Sequence, residues 1–224
     1  MMRSNFFGLL LILLASSIHA GDGLLEINTA CRSSGCFAGD DPGSFIEITE
    51  PSSYILTSNL SVNVNTTAIL IQTDDVTLDL NGFTISGPVS CSGFPATCTQ
   101  SGIGIGIDGQ GQENITIRNG TVRGMGNRGV IIGSGRVVDV TVTENSETGL
   151  SLGSSTSQAS RIRAVQNGFN GIAGGHINAS NSIGNQGHGI IGATCSNNRM
   201  ILNGAGSSCA AILPNSCTDP IDCD

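Results

Sequence analysis

The sequence has no Lys, no Trp and a single Tyr, and charged residues make up only 12% of it. The missing Lys removes the usual material of a basic nucleic-acid-binding stripe. With Arg3 set aside as part of a leader, eight Arg face 17 acids. On average such a chain repels nucleic acid and anionic membrane. It also repels an acidic polysaccharide unless Ca²⁺ bridges the two. Low charge combined with 38% apolar residues argues against disorder and for a packed core. No helical period of useful length appears between the apolar segments. There is no C-x-x-C pair and no His at zinc spacing, so a structural zinc site is the weaker reading of the cysteines. After the first twenty residues no apolar run approaches membrane length, and the chain beyond them is expected to be soluble or peripheral. The 32 glycines follow no G-X-Y period, which excludes collagen and leaves many tight turns.

Residues 1–20 read as a secretory signal peptide. Arg3 supplies the positive start, an apolar run broken only by Gly8 extends from Phe6 to Leu14, and Ala20 ends it. All eight cysteines lie beyond it, and an even number in an exported chain implies disulfides. Proximity favours Cys31–Cys36, Cys91–Cys98, Cys195–Cys209 and Cys217–Cys223.

What is present is a repeat. Asn145, Asn167, Asn185 and Asn203 recur at spacings of 22, 18 and 18 residues. Four residues after the first three comes a glycine with an aliphatic residue behind it: Gly149-Leu150, Gly171-Ile172 and Gly189-Ile190. Before each Asn runs a short alternating segment, such as Val138, Val140 and Val142. A unit of about 20 residues without a helix is too short for a βαβ repeat, which needs roughly 30. Stacked as coils, such units make a parallel β-helix. Asn tolerates the left-handed backbone of a sharp corner, and its amide can bond the Asn one rung away, about 4.8 Å off. The four Asn are therefore expected to form a ladder at left-handed turns.

Upstream, 76–87 (VTLDLNGFTISG) matches 115–124 (ITIRNGTVRG), each a strand, an Asn-Gly turn and a strand. Between them 88–101 reads as a disulfide-pinned loop leaving one rung. The run 102–107 (GIGIGI) predicts a strand with isoleucines on one face and bare glycine on the other. The expected fold is all-β: a single-stranded parallel β-helix of about six or seven rungs over 46–204. Residues 21–45 form an N-terminal cap and the Cys-rich 205–224 closes the other end.

The runs 57–62 (TSNLSV) and 75–87 (DVTLDLNGFTISG) resemble the opening rungs of secreted right-handed β-helix proteins of the pectate-lyase-like superfamily, whose members bind or cut polysaccharide. The resemblance implies a right-handed coil and extracellular polysaccharide as the substrate class. It does not choose among lyases, hydrolases, epimerases, esterases and non-catalytic adhesins. Gly187-His188-Gly189 matches a short polygalacturonase motif, which marks His188 as a substrate-binding candidate. The other polygalacturonase motifs are missing or out of order. The carboxylates that would protonate a glycoside are absent with them.

A lyase fits better among enzymes. Pectate lyases neutralise a uronate with Ca²⁺ and use an Arg as base. In the repeat register Asp139 and Arg161 lie six residues before their Asn, and Thr141, Arg163, Asn181 and Arg199 lie four before theirs. Stacking turns each set into a column. Asp139, Arg161 and Arg163 are the catalytic candidates, and Glu144, Asn181, Arg199 and His188 the substrate-binding ones. The bland reading of the same residues is an exposed salt-bridge column. No metal ligands are assigned, since one or two acids are fewer than a firm Ca²⁺ site takes. Phe94 and Phe169 fall in loops, available to stack on sugar rings. The leading expectation is a secreted β-helix in contact with extracellular polysaccharide. A structural or adhesive module and a uronan lyase or epimerase are the alternatives.

Overall fold

A computed structural model of the chain describes residues 23–43, 45–212 and 216–217. The leader and Cys223, the partner expected for Cys217, lie outside these residues.

The chain winds into a parallel β-solenoid of about seven turns. Among the described residues the only helical element is the 3-10 turn Cys31–Ser33. Each rung contributes three short strands, and their vertical stacking makes three faces. The first face runs through Ile46–Ile48, Ile69–Ile71, Ile107–Gly109, Val130–Ile132, Leu150–Leu152 and Ile172–Ala173. The second includes Ser53–Leu56, Thr77–Asp79, Gln158–Ser160 and His176–Asn178. The third includes Thr84–Ser86, Arg163–Val165, Asn181–Ile183 and Arg199–Ile201. The nine-residue strands Ile115–Arg123 and Gly135–Thr143 bend from the second face onto the third. We number the rungs one to seven from Ile46, so Asn145, Asn167, Asn185 and Asn203 close rungs four to seven.

Alternation dictates this packing. Ile46 and Ile48, Ile69 and Ile71, and Val130 and Ile132 point inward and are buried, on rungs one, two and four of one stack. β-Branched residues suit such stacks, since they fit a pleated surface with few rotamers to lose. Burying each one stabilises the coil by about 1.5–3 kcal/mol.

The corner between the second and third faces is a single left-handed residue, with φ of 60° at Asn119, 57° at Asp139, 53° at Arg161, 50° at Ala179 and 54° at Asn197. The corner from the third face back to the first holds the asparagine ladder. Asn145 Nδ2 donates to Asn167 Oδ1 at 2.9 Å, Asn167 Nδ2 to Asn185 Oδ1 at 2.8 Å, and Asn185 Nδ2 to Asn203 Oδ1 at 2.8 Å. Each Oδ1 also accepts the backbone N–H of the residue one rung before, starting at Met125. The ladder is as expected, but its conformation is not. The left-handed residues are the ones just before it: Gly124, Glu144, Gln166, Gly184 and Leu202. The kink thus falls one position earlier and swings the following Asn inward, where all four are buried.

The recurring glycines follow from the ladder. A Cβ on Gly149 would lie 2.7 Å from Asn167 Nδ2, and one on Gly189 would lie 2.7 Å from Asn203 Nδ2. In the run 102–106 the inward positions are glycines. Gly104 and Gly106 face inward against the backbone of Thr66 and the side chain of Val122, while Ile103 is 74% exposed. No strand forms until Ile107.

At the N-terminal end Leu25–Ile27 is a strand, paired with Ser53–Leu56 as a partial rung. The Cys31–Cys36 loop follows it, and Phe37 packs on Tyr54 at 4.9 Å between ring centroids. The buried Asp40 accepts the N–H groups of Cys36 and Glu47, both at 2.8 Å. At the other end Cys195, buried in rung seven, bridges to Cys209 on Ser208–Ile212.

The insertion 88–101 leaves rung two but does not project from the coil. It folds as the hairpin Cys91–Ser92/Thr97–Cys98, joined by the Cys91–Cys98 disulfide. This strap runs along the ladder corner past the rungs below. Val89 N–H donates to Gly124 O, Gln166 Nε2 to Gly93 O, and Ala96 N–H to Gly184 O. The glycines beneath provide room: a Cβ on Gly168 would lie 2.8 Å from Cys98 Sγ, and one on Gly184 would run into the Phe94 ring.

Candidate functional site

Strand register fixes the third face. Its outward column reads Thr121, Thr141, Arg163, Asn181 and Arg199 over rungs three to seven. Arg163, Asn181 and Arg199 are all exposed. Among the described residues neither Arg163 nor Arg199 forms an ion pair. The two arginines stand two rungs apart, about 9.6 Å, with the Asn181 amide between them. The neighbouring outward column is apolar below Thr143, with Val165, Ile183 and Ile201. Phe94 of the strap, 56% exposed, rests against Gly184 at the far edge.

Asp139 and Arg161 meet at the left-handed corner beside this column. The contact is bidentate: Nε donates to Oδ1 at 2.6 Å and Nη2 to Oδ2 at 2.7 Å. The hydrogen bonds from Arg161 hold the Asp139 carboxyl below the usual aspartate range, and Asp139 in turn raises Arg161. An arginine acting as base has to release its proton, and this pairing pushes the other way. Both side chains are well exposed, at 42% and 59%, so the bond orients them more than it stabilises the fold.

Glu144, a substrate-binding candidate from the sequence, does not join this cluster. It reaches to the rung before instead, where Arg123 Nη2 lies 3.3 Å from Oε2. Its left-handed backbone at the opposite edge of the face turns the side chain that way. His188 also stands apart, near the start of the first face. Its N–H donates to Asn170 Oδ1 at 2.9 Å, and its Nδ1 lies 2.7 Å from Gly206 O. A donor role for Nδ1 leaves Nε2 as an acceptor. The fold therefore brings Arg163, Asn181 and Arg199 into one column with Asp139–Arg161 at its border, and separates Glu144 and His188 from it. Among the described residues no three His, Cys, Asp or Glu side chains converge as metal ligands would.

No family model, no curated protein and no solved structure matches this chain.

Three features escaped the reading of the sequence. The first is charge segregation: residues 23–117 carry ten acids and one Arg, residues 118–212 seven Arg and three acids. In a solenoid, position in sequence is position along the axis, so within 23–212 the later rungs carry net positive charge, while Asp219, Asp222 and Asp224 lie outside the described residues. On those later rungs Arg123 and Arg161 pair with acids on adjacent rungs, as Arg118 does with Asp79 on the rung before. The second is Arg128, whose Nε is buried with no hydrogen-bond partner. The third is a depression of about 570 Å³ at the corner between the first and second faces, lined by Glu113, Asn114, Ser134, Arg136, Thr156 and Gln158. It arises because the corner 133–134 has two residues, while those on the rungs either side, 110–114 and 153–157, have five. Those unequal turn lengths are visible in the sequence once strand ends are known.

Proposed function

We propose that this is an exported β-solenoid that binds an anionic extracellular polysaccharide along its third face. The observation that carries the reading is the column Arg163–Asn181–Arg199, two exposed guanidiniums that form no ion pair among the described residues, on rungs where Arg outnumbers acid. A guanidinium presents paired N–H donors that match a carboxylate or sulfate. One rung is comparable in length with one pyranose residue, so a chain lying along the axis can meet a donor at each step. Beside the column, the half-buried Ile183 and Ile201 offer apolar surface to the carbon faces of the rings, whereas Val165 is buried.

Export is part of the proposal. Three disulfides suit an oxidising compartment, and no helix among the described residues is long and apolar enough to cross a membrane. Membership of the pectate-lyase-like superfamily, with its right-handed winding, also belongs to the proposal, as the sequence resemblance suggests it. Binding is favoured over cleavage because the carboxylate next to Arg161 is committed to it.

The test is a panel of uronate, sulfated and neutral polysaccharides, with and without Ca²⁺, scored for both binding and cleavage. Anionic polymers are expected to bind at low ionic strength and to be released by salt, as exposed charge contacts are screened. Arg163→Ala and Arg199→Ala should each weaken binding roughly fivefold, for about 1 kcal/mol per contact. Silence of every anionic polymer at low salt would refute the reading. An unsaturated product from a uronan that disappears in Arg163→Ala would replace it with the lyase.

A further inference from the structure

The strap has a second consequence, independent of the arginine column. Between its returning strand and the ladder corner lies a trench of about 300 Å³. Its floor is Ser146, Gly168 and Gln186, which succeed one another on rungs four, five and six. Its wall is formed by Thr97, Gln100 and Ser101, held in place by the Cys91–Cys98 bridge. Across three rungs the floor extends about 10 Å. Gly168 is bare because Cys98 Sγ and Ser146 O occupy the space a side chain would need, and its absence keeps the middle of the trench open.

Phe169, next to Gly168 in the chain, is 51% exposed. Its ring leans over Gly187, where Cδ2 lies 3.3 Å from the position a Cβ would take, and Gly187 follows the floor residue Gln186. The ring thus stands beside Gly187, one residue past the floor of the trench. None of its lining side chains is charged, and all the polar ones are amides or hydroxyls, which both donate and accept. Glu147, exposed on the rung before Phe169, is the nearest charge in the corner column and disfavours anions.

We propose that this trench is a second saccharide site, specific for neutral sugar: the exposed Phe169 ring stacks on a pyranose while Gln186, Gln100 and the hydroxyls of Thr97, Ser101 and Ser146 bond its hydroxyl groups. The volume sits at the small end of ligand sites, which fits one or two sugar residues rather than a long chain. Anionic polymer on the third face and neutral sugar in the trench are then separate activities of one molecule.

The experiment is calorimetric titration of the disulfide-intact chain with neutral gluco-, manno-, galacto- and xylo-oligosaccharides at high salt, which suppresses the arginine column. One of these series is expected to bind in the millimolar range. Phe169→Ala and Gln186→Ala should each weaken it at least fivefold, Phe169→Tyr should retain it, and Arg163→Ala should leave it unchanged. The proposal is overturned if no neutral oligosaccharide binds. It is equally overturned if Phe169→Ala binds as well as the unaltered chain, or if Arg163→Ala weakens binding as much as Phe169→Ala does. Loss of binding in Phe169→Tyr, with an unchanged circular dichroism spectrum, also counts against it, since the ring would then not be the platform.

Discussion

Replacing Asn167 by Ala tests the claim that the ladder, rather than the apolar core alone, holds the rungs in register. The Asn167 side chain makes four bonds: Oδ1 accepts from the Asn145 N–H at 3.2 Å and Asn145 Nδ2 at 2.9 Å, and Nδ2 donates to Val142 O at 3.2 Å and Asn185 Oδ1 at 2.8 Å. Alanine removes all four from a site with no exposure. Asn185 Oδ1 keeps the Asn167 backbone N–H, and Asn145 Nδ2 keeps a longer bond to Val122 O at 3.4 Å. The Asn145 N–H keeps no hydrogen bond from the ladder. A buried donor left unsatisfied costs about 1–3 kcal/mol, and each further lost bond about 0.5–1.5 kcal/mol. The expected loss is about 4 kcal/mol, or roughly 8–16 °C in Tm for a domain of this size. Urea denaturation and calorimetry measure it, with Asn181→Ala on the exposed third face as the control. Amide exchange at residue 145 should accelerate more than at Val140, a buried core position in the strand that precedes it. A loss below about 1 kcal/mol would show that the ladder is dispensable and that apolar stacking sets the register.

Other substitutions test the corners and the core. In Gly171→Ala the new methyl would run into Ser182 Oγ and stand 2.8 Å from Asn185 Nδ2, so a loss of about 1–3 kcal/mol is expected in the same denaturation assay. Ala179 holds φ of 50° in an exposed corner, and Ala179→Gly should raise stability by about 0.4–1 kcal/mol, where a lower midpoint would contradict the strain argument. Tyr54, the single tyrosine, is held protonated to about 12 by burial and then by the Glu50 charge, while its hydroxyl donates to Glu50 O at 2.7 Å. Because its folded pKa lies above the ordinary value of 10.0, the associated stability is complete below pH 10.0 and drains away as pH rises towards about 12. Ultraviolet titration of phenolate should find the midpoint near that upper value, and one near pH 10.0 would place the ring in water.

Periodicity made the fold legible. Spacings of 18–22 residues between Asn145, Asn167, Asn185 and Asn203, with no helical pattern between them, leave a stacked coil as the economical way to bury every second side chain. The same arithmetic brought Arg163, Asn181 and Arg199 into one column and Asp139 onto Arg161, because register in a solenoid follows from counting. Three of the nearest-neighbour cysteine pairs are formed as well, since short loops bring their ends together.

Direction and distance across the coil were not written in the chain. Alternation in 102–107 identifies two faces but not which is inside, and close approach of the Thr66 backbone turns the glycines inward. The left-handed corner falls one residue before each Asn, because a backbone kink has to precede the side chain it swings into the core. Glu144 lies five residues from Asp139 in sequence, yet the intervening strand crosses the full width of the third face and delivers it to Arg123. The path of the 88–101 strap along the rungs, and the trench it creates with Gln186, depend on contacts between distant segments, such as Ala96 N–H with Gly184 O, 88 residues apart. Sequence alone determined the period, the ladder and the columns, since these are local and repeat. Tertiary structure decided which way each column faces and what lies across from it, since that depends on packing between rungs and strap that no local pattern encodes.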